Sequence, residues 1–402
     1  MKESQGGTDV IVIGGGVVGL AVAREIARRG RRVTIIEIGQ HPGKGASHAA
    51  AGMLAPQAEA DTDDSFFQLQ RASRDLYPKF AEELRAETGR DIQLDRTGTL
   101  YLAFTDEDEQ ELERRYAWQT RAGLPVERLS AQATRDLEPS ISPHVRGALR
   151  FPSDWQVETR HLVAALVAAV DSFGVNLLTE TGARGLRVGS TGHVEGVETE
   201  RGLLKADAVV IAAGAWSSQI PFSITESAGR NSSAGTMTTA LHPHVAPVRG
   251  QMLCYRHPSV IPFVRHVIYT PRGYIVPRRD GRILAGSTTE YVGYRSGVTV
   301  EGVRSIVAHS LEIAPAIAGL SFSESWSGLR PRAADEWPVI GASDEVRGLF
   351  YATGHYRNGI LLAPLTGQLV ADVIVDGRTP RLLEAFSPAR LRERAYAVSH
   401  GE

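Results

Sequence analysis

Residues 10–37 read VIVIGGGVVGLAVAREIARRGRRVTIIE, and their reading decides the fold. Val10 to Ile13 is a short apolar strand, Gly14 to Gly16 a glycine turn, and Val17 to Arg29 an amphipathic helix. Gly30 signals the helix end, and Arg32 to Glu37 forms the next strand. A βαβ unit of this kind opens a doubly wound sheet. Gly14, Gly16 and Gly19 fall on the pattern G-x-G-x-x-G in its proper strand–turn–helix setting. Gly14 permits the tight turn, Gly16 lets the backbone approach a pyrophosphate, and Gly19 allows close packing of helix on strand. The helix N-terminus offers N–H groups and a positive dipole end to phosphates. Glu37 ends the second strand, where its carboxylate can accept hydrogen bonds from ribose hydroxyls. The segment predicts a dinucleotide site, since a merely tight turn leaves Glu37 without a role.

The rest of the chain bounds the answer. Its 402 residues exceed a usual single domain, so two domains are expected. With 44 Lys and Arg against 46 Asp and Glu, spread along the chain, there is no footprint of a nucleic-acid binder. The acidic run Thr105 to Glu113 reads as a solvated helix face. Cys254, the one cysteine, excludes an intrachain disulfide and fits a reducing cytoplasm. The polar start MKESQGGTD lacks the shape of a signal peptide. No apolar run approaches the ~20 residues that span a bilayer, so no membrane insertion is expected. There is no G-x-S-x-G elbow, P-loop or H-E-x-x-H, the histidines are scattered, and no metal site is expected.

Along the chain, helices are expected at Ser65 to Thr88, Glu107 to Ala122 and 160–173, with strands at Tyr101 to Phe104 and Asp207 to Ala213. Residues 223–240, rich in Ser, Thr, Gly and Ala, read as an exposed or mobile loop. Strand-like runs at 248–255, 266–269, 273–277 and 282–286 make an antiparallel block. An α/β pattern then returns with GLFYATG and the helix after it. The expected layout is a cofactor-binding unit over 1–90, 150–222 and 327–388, interleaved with a sheet-rich unit over 91–149 and 223–326. Such a layout places a cleft between the two.

The fingerprint alone does not choose between FAD and NAD. FAD is favoured by the fingerprint's position at the N-terminal end and by ADAVVIAAGAWS (206–217), a second strand that ends at Gly214. The junction Ala352-Thr353-Gly354 offers a third glycine-marked turn, suited to the far end of a long cofactor. In ATGHYRNGILLAPLTGQL (352–369), Gly354 ends a strand and His355 to Gly359 form a polar turn before an apolar helix. That helix starts either at this turn, running apolar from Ile360 onward, or only near Pro364, which sits inside the helical pattern, with Ile360 to Ala363 as the approach.

Six segments occur in one order: the fingerprint, GASHAAAGMLAP (45–56), PVRGQ (247–251), GYIVPRRDGRILAGSTTE (273–290), GLRPRAADEWPVIG (328–341) and ATGHYRNGILLAP (352–364). Together they resemble the FAD-dependent D-amino-acid oxidase superfamily over roughly Asp9 to Gly377, and within it most resemble the glycine oxidases of thiamine biosynthesis. The resemblance implies an α/β fold: a Rossmann-type FAD-binding domain with a discontinuous, antiparallel-sheet-rich substrate domain. It implies noncovalent FAD, because Cys254 lies in a strand and reads as a buried thiol. Ser47, Gly52, Met53, Ala183, Gly214, Gly354, Asn358, Gly359 and Ile360 are the expected flavin surroundings, beside Gly14, Gly16, Gly19 and Glu37. Arg330 is expected to bind a substrate carboxylate in bidentate fashion, with the Tyr274 hydroxyl facing the same group. Arg357 either adds charge to flavin or substrate or forms an ion pair behind the site. Arg272 and Thr289 depart from the residues found in relatives and leave pocket preference open.

The implied reaction is oxidative deamination of glycine and small relatives such as sarcosine or D-amino acids. Hydride passes to flavin, O2 is reduced to H2O2, and the imine supplies thiamine thiazole synthesis. The alternatives are a D-amino-acid dehydrogenase that reduces a quinone and, from another class, a non-catalytic dinucleotide-binding module. The expected partners are a small amino acid and O2, in a cytoplasmic homo-oligomer for which a tetramer is one form.

Overall fold

The structure, a computed structural model, describes residues 8–224, 236–238, 242–259 and 261–391. The opening unit is β1 (Val10–Ile13), α1 (Val17–Arg28) and β2 (Val33–Ile36), with both strands fully buried. They sit inside a six-stranded sheet in the order Val339–Ala342, Leu349–Thr353, Ala208–Ile211, β1, β2, Asn176–Leu178. All neighbours run parallel except the pair at the Val339–Ala342 edge.

The period-2 alternation of the strands feeds two cores. Val10, Val12, Val33, Ile35 and Val210 pack under helices α1, Ser65–Thr88, Thr159–Ser172 and Gly359–Ile374. Ile11, Ile13, Ile36, Val209 and Ile211 point the other way, against Leu186, Val197 and Phe222 of a five-stranded sheet. Gly19 brings α1 close to the first sheet: a Cβ built there would stand 2.0 Å from the Gly14 carbonyl oxygen. Only a residue without a side chain permits that approach.

An eight-stranded sheet forms the other layer. The strands Val245–Arg256 and Ser321–Ala333 pair antiparallel along almost their whole length at one side of it. The one parallel pair is Val267–Thr270 with Thr99–Ala103. Leu253, Ile275 and Ala285 face helix Val300–Ile313, whereas Met252, Cys254 and Tyr274 turn toward Ala51 and Met53. That second face looks back at the segment following β2.

Most expected elements lie within one or two residues of their reading, and helix Ser65–Thr88 matches at both ends. Asp64 accepts from the Phe67 N–H at its start, and Gly89 closes it in the left-handed conformation. The expected loop at 223–240 is corrected at both of its edges: Phe222–Ile224 and Thr236–Thr238 are paired antiparallel strands. Residues 225–235 and 239–240 lie outside the described residues.

Of the two starts expected for the final helix, the one at the polar turn holds and the one near Pro364 is corrected: the helix begins at Gly359, and Pro364 lies inside it. Proline has no N–H, so the Ile360 carbonyl loses its intrahelical donor. The Tyr77 hydroxyl, from helix Ser65–Thr88, supplies one at 2.5 Å, and Ser73 donates to the Leu361 carbonyl at 2.7 Å. The first turn therefore survives its proline through hydrogen bonds from a neighbouring helix.

Replacing Tyr77 by Phe keeps the packing and strands the buried Ile360 carbonyl. We expect a loss of about 1–3 kcal/mol in stability, read as a lowered urea midpoint without a change in slope.

Candidate active site

A cavity of about 580 Å3 runs from the glycine turn after β1 to the inner face of the eight-stranded sheet. At the first end lie Gly14, Gly16, Glu37 and Ser47, with Thr181, Ala183 and Gly214 nearby. The Glu37 carboxylate accepts from the Gly15 N–H at 2.7 Å and the Gly39 N–H at 2.8 Å, which fixes it at the cavity wall. No side chain of α1 itself caps that helix; instead the Ser47 hydroxyl accepts from the Val17 N–H at 2.9 Å. This end offers backbone N–H groups, a fixed carboxylate and a hydroxyl, the donor and acceptor set that an adenosine diphosphate moiety requires.

The middle wall is made of small residues, Ala46 to Gly52 and Met53 among them. Three consecutive carbonyls of this run are each held by a different donor. Trp326 Nε1 donates to Ala49 O at 3.1 Å, Thr159 Oγ1 to Ala50 O at 3.2 Å, and Arg278 Nη2 to Ala51 O at 2.6 Å. Arg278 is buried, also donates to Gln156, and pairs with the buried Glu158. Burial pushes its guanidinium down to about 10, so it still carries its charge at neutral pH. The small residues thus present a fixed, nearly featureless face, as a flat ring system needs.

At the far end, the N-terminus of helix Gly359–Ile374 faces the cavity through Asn358, Gly359 and Ile360, and no side chain caps it. Such an end favours negative charge and acceptor oxygens. His355 lies beside it, held at 3.0 Å from the Thr366 hydroxyl, and burial pushes its imidazole down to about 3, so it is neutral.

Arg330 projects from the long edge strand across Gly250, where a Cβ would stand 2.3 Å from the guanidinium. Its N–H groups donate to the Thr288 carbonyl at 3.0 Å and the Ser287 hydroxyl at 2.7 Å. Among the described residues no carboxylate lies within ion-pair distance of it, and burial presses its affinity for the proton down. Tyr274 is buried next to it, with its hydroxyl 3.3 Å from the Met252 sulfur. Arg357 differs: its Nη2 lies 3.3 Å from the Glu59 carboxylate, which raises the hold of the guanidinium on its proton.

The cavity therefore gathers Gly14, Gly16, Glu37, Ser47, Gly52, Met53, Ala183, Gly214, Tyr274, Arg330, Arg357, Asn358, Gly359 and Ile360. Gly19 and Gly354 stand outside it. Gly19 packs on Gly14, and Gly354, with φ +72°, packs near Ala333 and Val339. Arg332, which the sequence gives no role, pairs with Glu336. Arg272 pairs with Asp108 and Glu312. Among the cavity-lining residues without a role in the sequence analysis are Glu59 and His355. His355 lies within the motif ATGHYRNGILLAP, whereas Glu59, in PQAEAD, carries no local sign of its partner. Among the described residues there is no cluster of His, Cys, Asp or Glu fit to hold a metal ion. No helix among them is long and apolar enough to cross a membrane.

The family of FAD dependent oxidoreductases matches residues 9–373. The chain is 38% identical over 384 residues to a glycine oxidase of Geobacillus kaustophilus, spanning 95% of this chain and 97% of that one. It is 34% identical to a bifunctional protein ThiO/ThiG of Trichormus variabilis, over 96% of this chain and 56% of the longer one. The crystal structure of the Geobacillus kaustophilus glycine oxidase superposes with a TM-score of 0.86 at 39% identity, covering 95% of this chain and 98% of that chain.

The pinned carbonyls make a local prediction. Arg278→Met frees the Ala51 carbonyl and leaves Glu158 with Arg282 alone, and should cost roughly 3 kcal/mol by chemical denaturation.

Proposed function

Because the chain belongs to the family of FAD-dependent oxidoreductases, we propose that it oxidises glycine and other small amines, sarcosine and D-amino acids among them, with O2 as electron acceptor. FAD, when bound, would supply the two-electron acceptor for oxidation at the substrate α-carbon, with O2 as the final oxidant and H2O2 as its product.

The observation that carries this reading is Arg330, a half-buried guanidinium that faces the cavity with no carboxylate partner among the described residues. A desolvated cation in that position calls for an anion from outside the chain, and a planar fork suits a carboxylate. Arg330 would bind the substrate carboxylate, with Tyr274 donating its hydroxyl to the same group. The carboxylate would then be anchored at one end and the α-carbon fixed by that anchor, so the chain contributes positioning. With the amine held neutral, its lone pair assists departure of the hydride and no general base is required. The uncapped end of helix Gly359–Ile374 would favour negative charge developing on the cofactor side. Glu37 would hold the ribose, and Gly16 with the α1 N-terminus the pyrophosphate.

The imine product would hydrolyse to the oxo acid and ammonia or feed thiamine thiazole synthesis, in keeping with the likeness to bifunctional ThiO/ThiG chains. The reading extends to a cytoplasmic homo-oligomer built of two interleaved units, with the buried free thiol of Cys254 suited to a reducing compartment.

Purified yellow protein should release peroxide with glycine, and a panel including sarcosine, D-alanine and D-proline ranks its substrates. Colourless protein that takes up no FAD would sink the reading. Reduction of an artificial acceptor without peroxide would point to a quinone-linked dehydrogenase instead. Arg330→Ala should raise KM for the amino acid about 10- to 100-fold and keep its flavin. Glu37→Ala should do the reverse: FAD affinity, titrated by fluorescence on apoprotein, weakens by about tenfold or more while KM of the loaded enzyme holds.

A further inference from the structure

Arg357 and Tyr274 stand between two cavities. Both line the first, and both also line a second of about 530 Å3, whose walls include Thr289, Glu290, Gly302 and Ser305. Most charges around this second space are already matched. Glu290 pairs with Arg249 and accepts from Gln251, and Arg272 pairs with Asp108 and Glu312.

The charge at the junction is set by Glu59, which lines the first cavity and meets Arg357 at 3.3 Å. Glu59 is firmly placed. It ends the short helix Pro56–Glu59, whose Gln57 and Ala58 N–H groups donate to the fully buried Asp154 at 3.2 and 2.8 Å. Arg115 donates to the Ala58 and Ala60 carbonyls at 3.0 and 2.7 Å at the other end. Among the described residues the junction therefore holds two guanidiniums, of which Arg330 has no carboxylate partner. A substrate with one carboxylate satisfies it. A second carboxylate reaching toward Arg357 would meet the Glu59 carboxylate, and like charges at such range repel.

We propose that Glu59 restricts this enzyme to substrates bearing a single carboxylate, by neutralising Arg357 where the two cavities meet. The inference rests on the amino-acid oxidase reading of the site. Without the Glu59 charge, Arg357 becomes a second free cation, and the junction becomes a site for dicarboxylic amines. The near carboxylate binds Arg330, the distal one binds Arg357, and the second cavity gives the room.

The test uses FAD-loaded wild type, Glu59→Gln and the double variant Glu59→Gln/Arg357→Gln. Peroxide release is measured with glycine, iminodiacetate and D-aspartate. Binding of acetate and malonate is read separately, from perturbation of the flavin absorbance without turnover. Wild type should bind malonate no more than about threefold more tightly than acetate. In Glu59→Gln the ratio of kcat/KM for the dicarboxylic amines over glycine should rise about tenfold or more, and malonate should gain on acetate by a similar factor. The double variant should lose both gains. The proposal is overturned if wild type already prefers malonate strongly, if Glu59→Gln leaves the ratios unchanged, or if the gain survives removal of Arg357. Wild type that oxidises none of the amines yet shows the expected acetate and malonate pattern would defeat the oxidase reading and leave charge selection standing.

Discussion

The approach of α1 to the glycine turn is the constraint on which the rest of the architecture depends. A methyl group at Gly19 would overlap the Gly14 carbonyl, and one at Gly14 would stand 2.4 Å from the Ala212 carbonyl oxygen. Both contacts lie where three parallel strands end together, so any relaxation there would move β1, α1 and the strand Ala208–Ile211 as a group. The helix N-terminus, Glu37 and the small-residue run are all aimed by that one packing decision. The cavity begins where side chains have been excluded.

The opposite end follows a different logic, in which charge, not space, is controlled. Among the described residues two arginines face the cavity, one paired with a carboxylate and the other without one. Taking a guanidinium out of water is unfavourable unless an anion meets it. The fold leaves that cost partly unmet at the half-buried Arg330, whereas the more exposed Arg357 has the Glu59 carboxylate beside it. The neutral His355 between the helix end and the cavity adds no further charge. Among the described residues, Arg330 is therefore the guanidinium at this end that an anionic ligand would meet without a carboxylate partner, and it stands on the edge strand of the sheet.

How much of this was legible in the sequence depended on how local the cause was. The turn, α1 and β2 could be read because strand, glycine pattern and acidic residue lie within 28 consecutive positions, Val10 to Glu37. Helix Ser65–Thr88 was legible at both ends because Asp64 and Gly89 supply local stop signals. The start of the final helix stays open between the polar turn and Pro364 because the proline rule is local and the remedy is not: the donor to Ile360 comes from Tyr77. Glu59 was passed over for the same reason. Its neighbours make a short polar stretch, and its meaning comes from Arg357, almost three hundred residues later. The two strands of 12 and 13 residues in the large sheet were read only in part, since pairing along their full length is a tertiary property.

The hydroxyl of Tyr77 on the Ile360 carbonyl has a consequence for how the protein is made. The helix end at the cavity needs Tyr77 from the first quarter of the chain, and the strand that leads into it inserts beside Ala208–Ile211. On a ribosome, residues 10–37 emerge early, whereas the wall opposite them, at residues 358–360, emerges only near the end of synthesis. A nascent chain can close the glycine turn, but it has nothing to shut the far side against water. Cofactor capture is thereby deferred to the last stage of synthesis, and chains cut short before that helix should be recovered without flavin, whatever the quality of their N-terminal half.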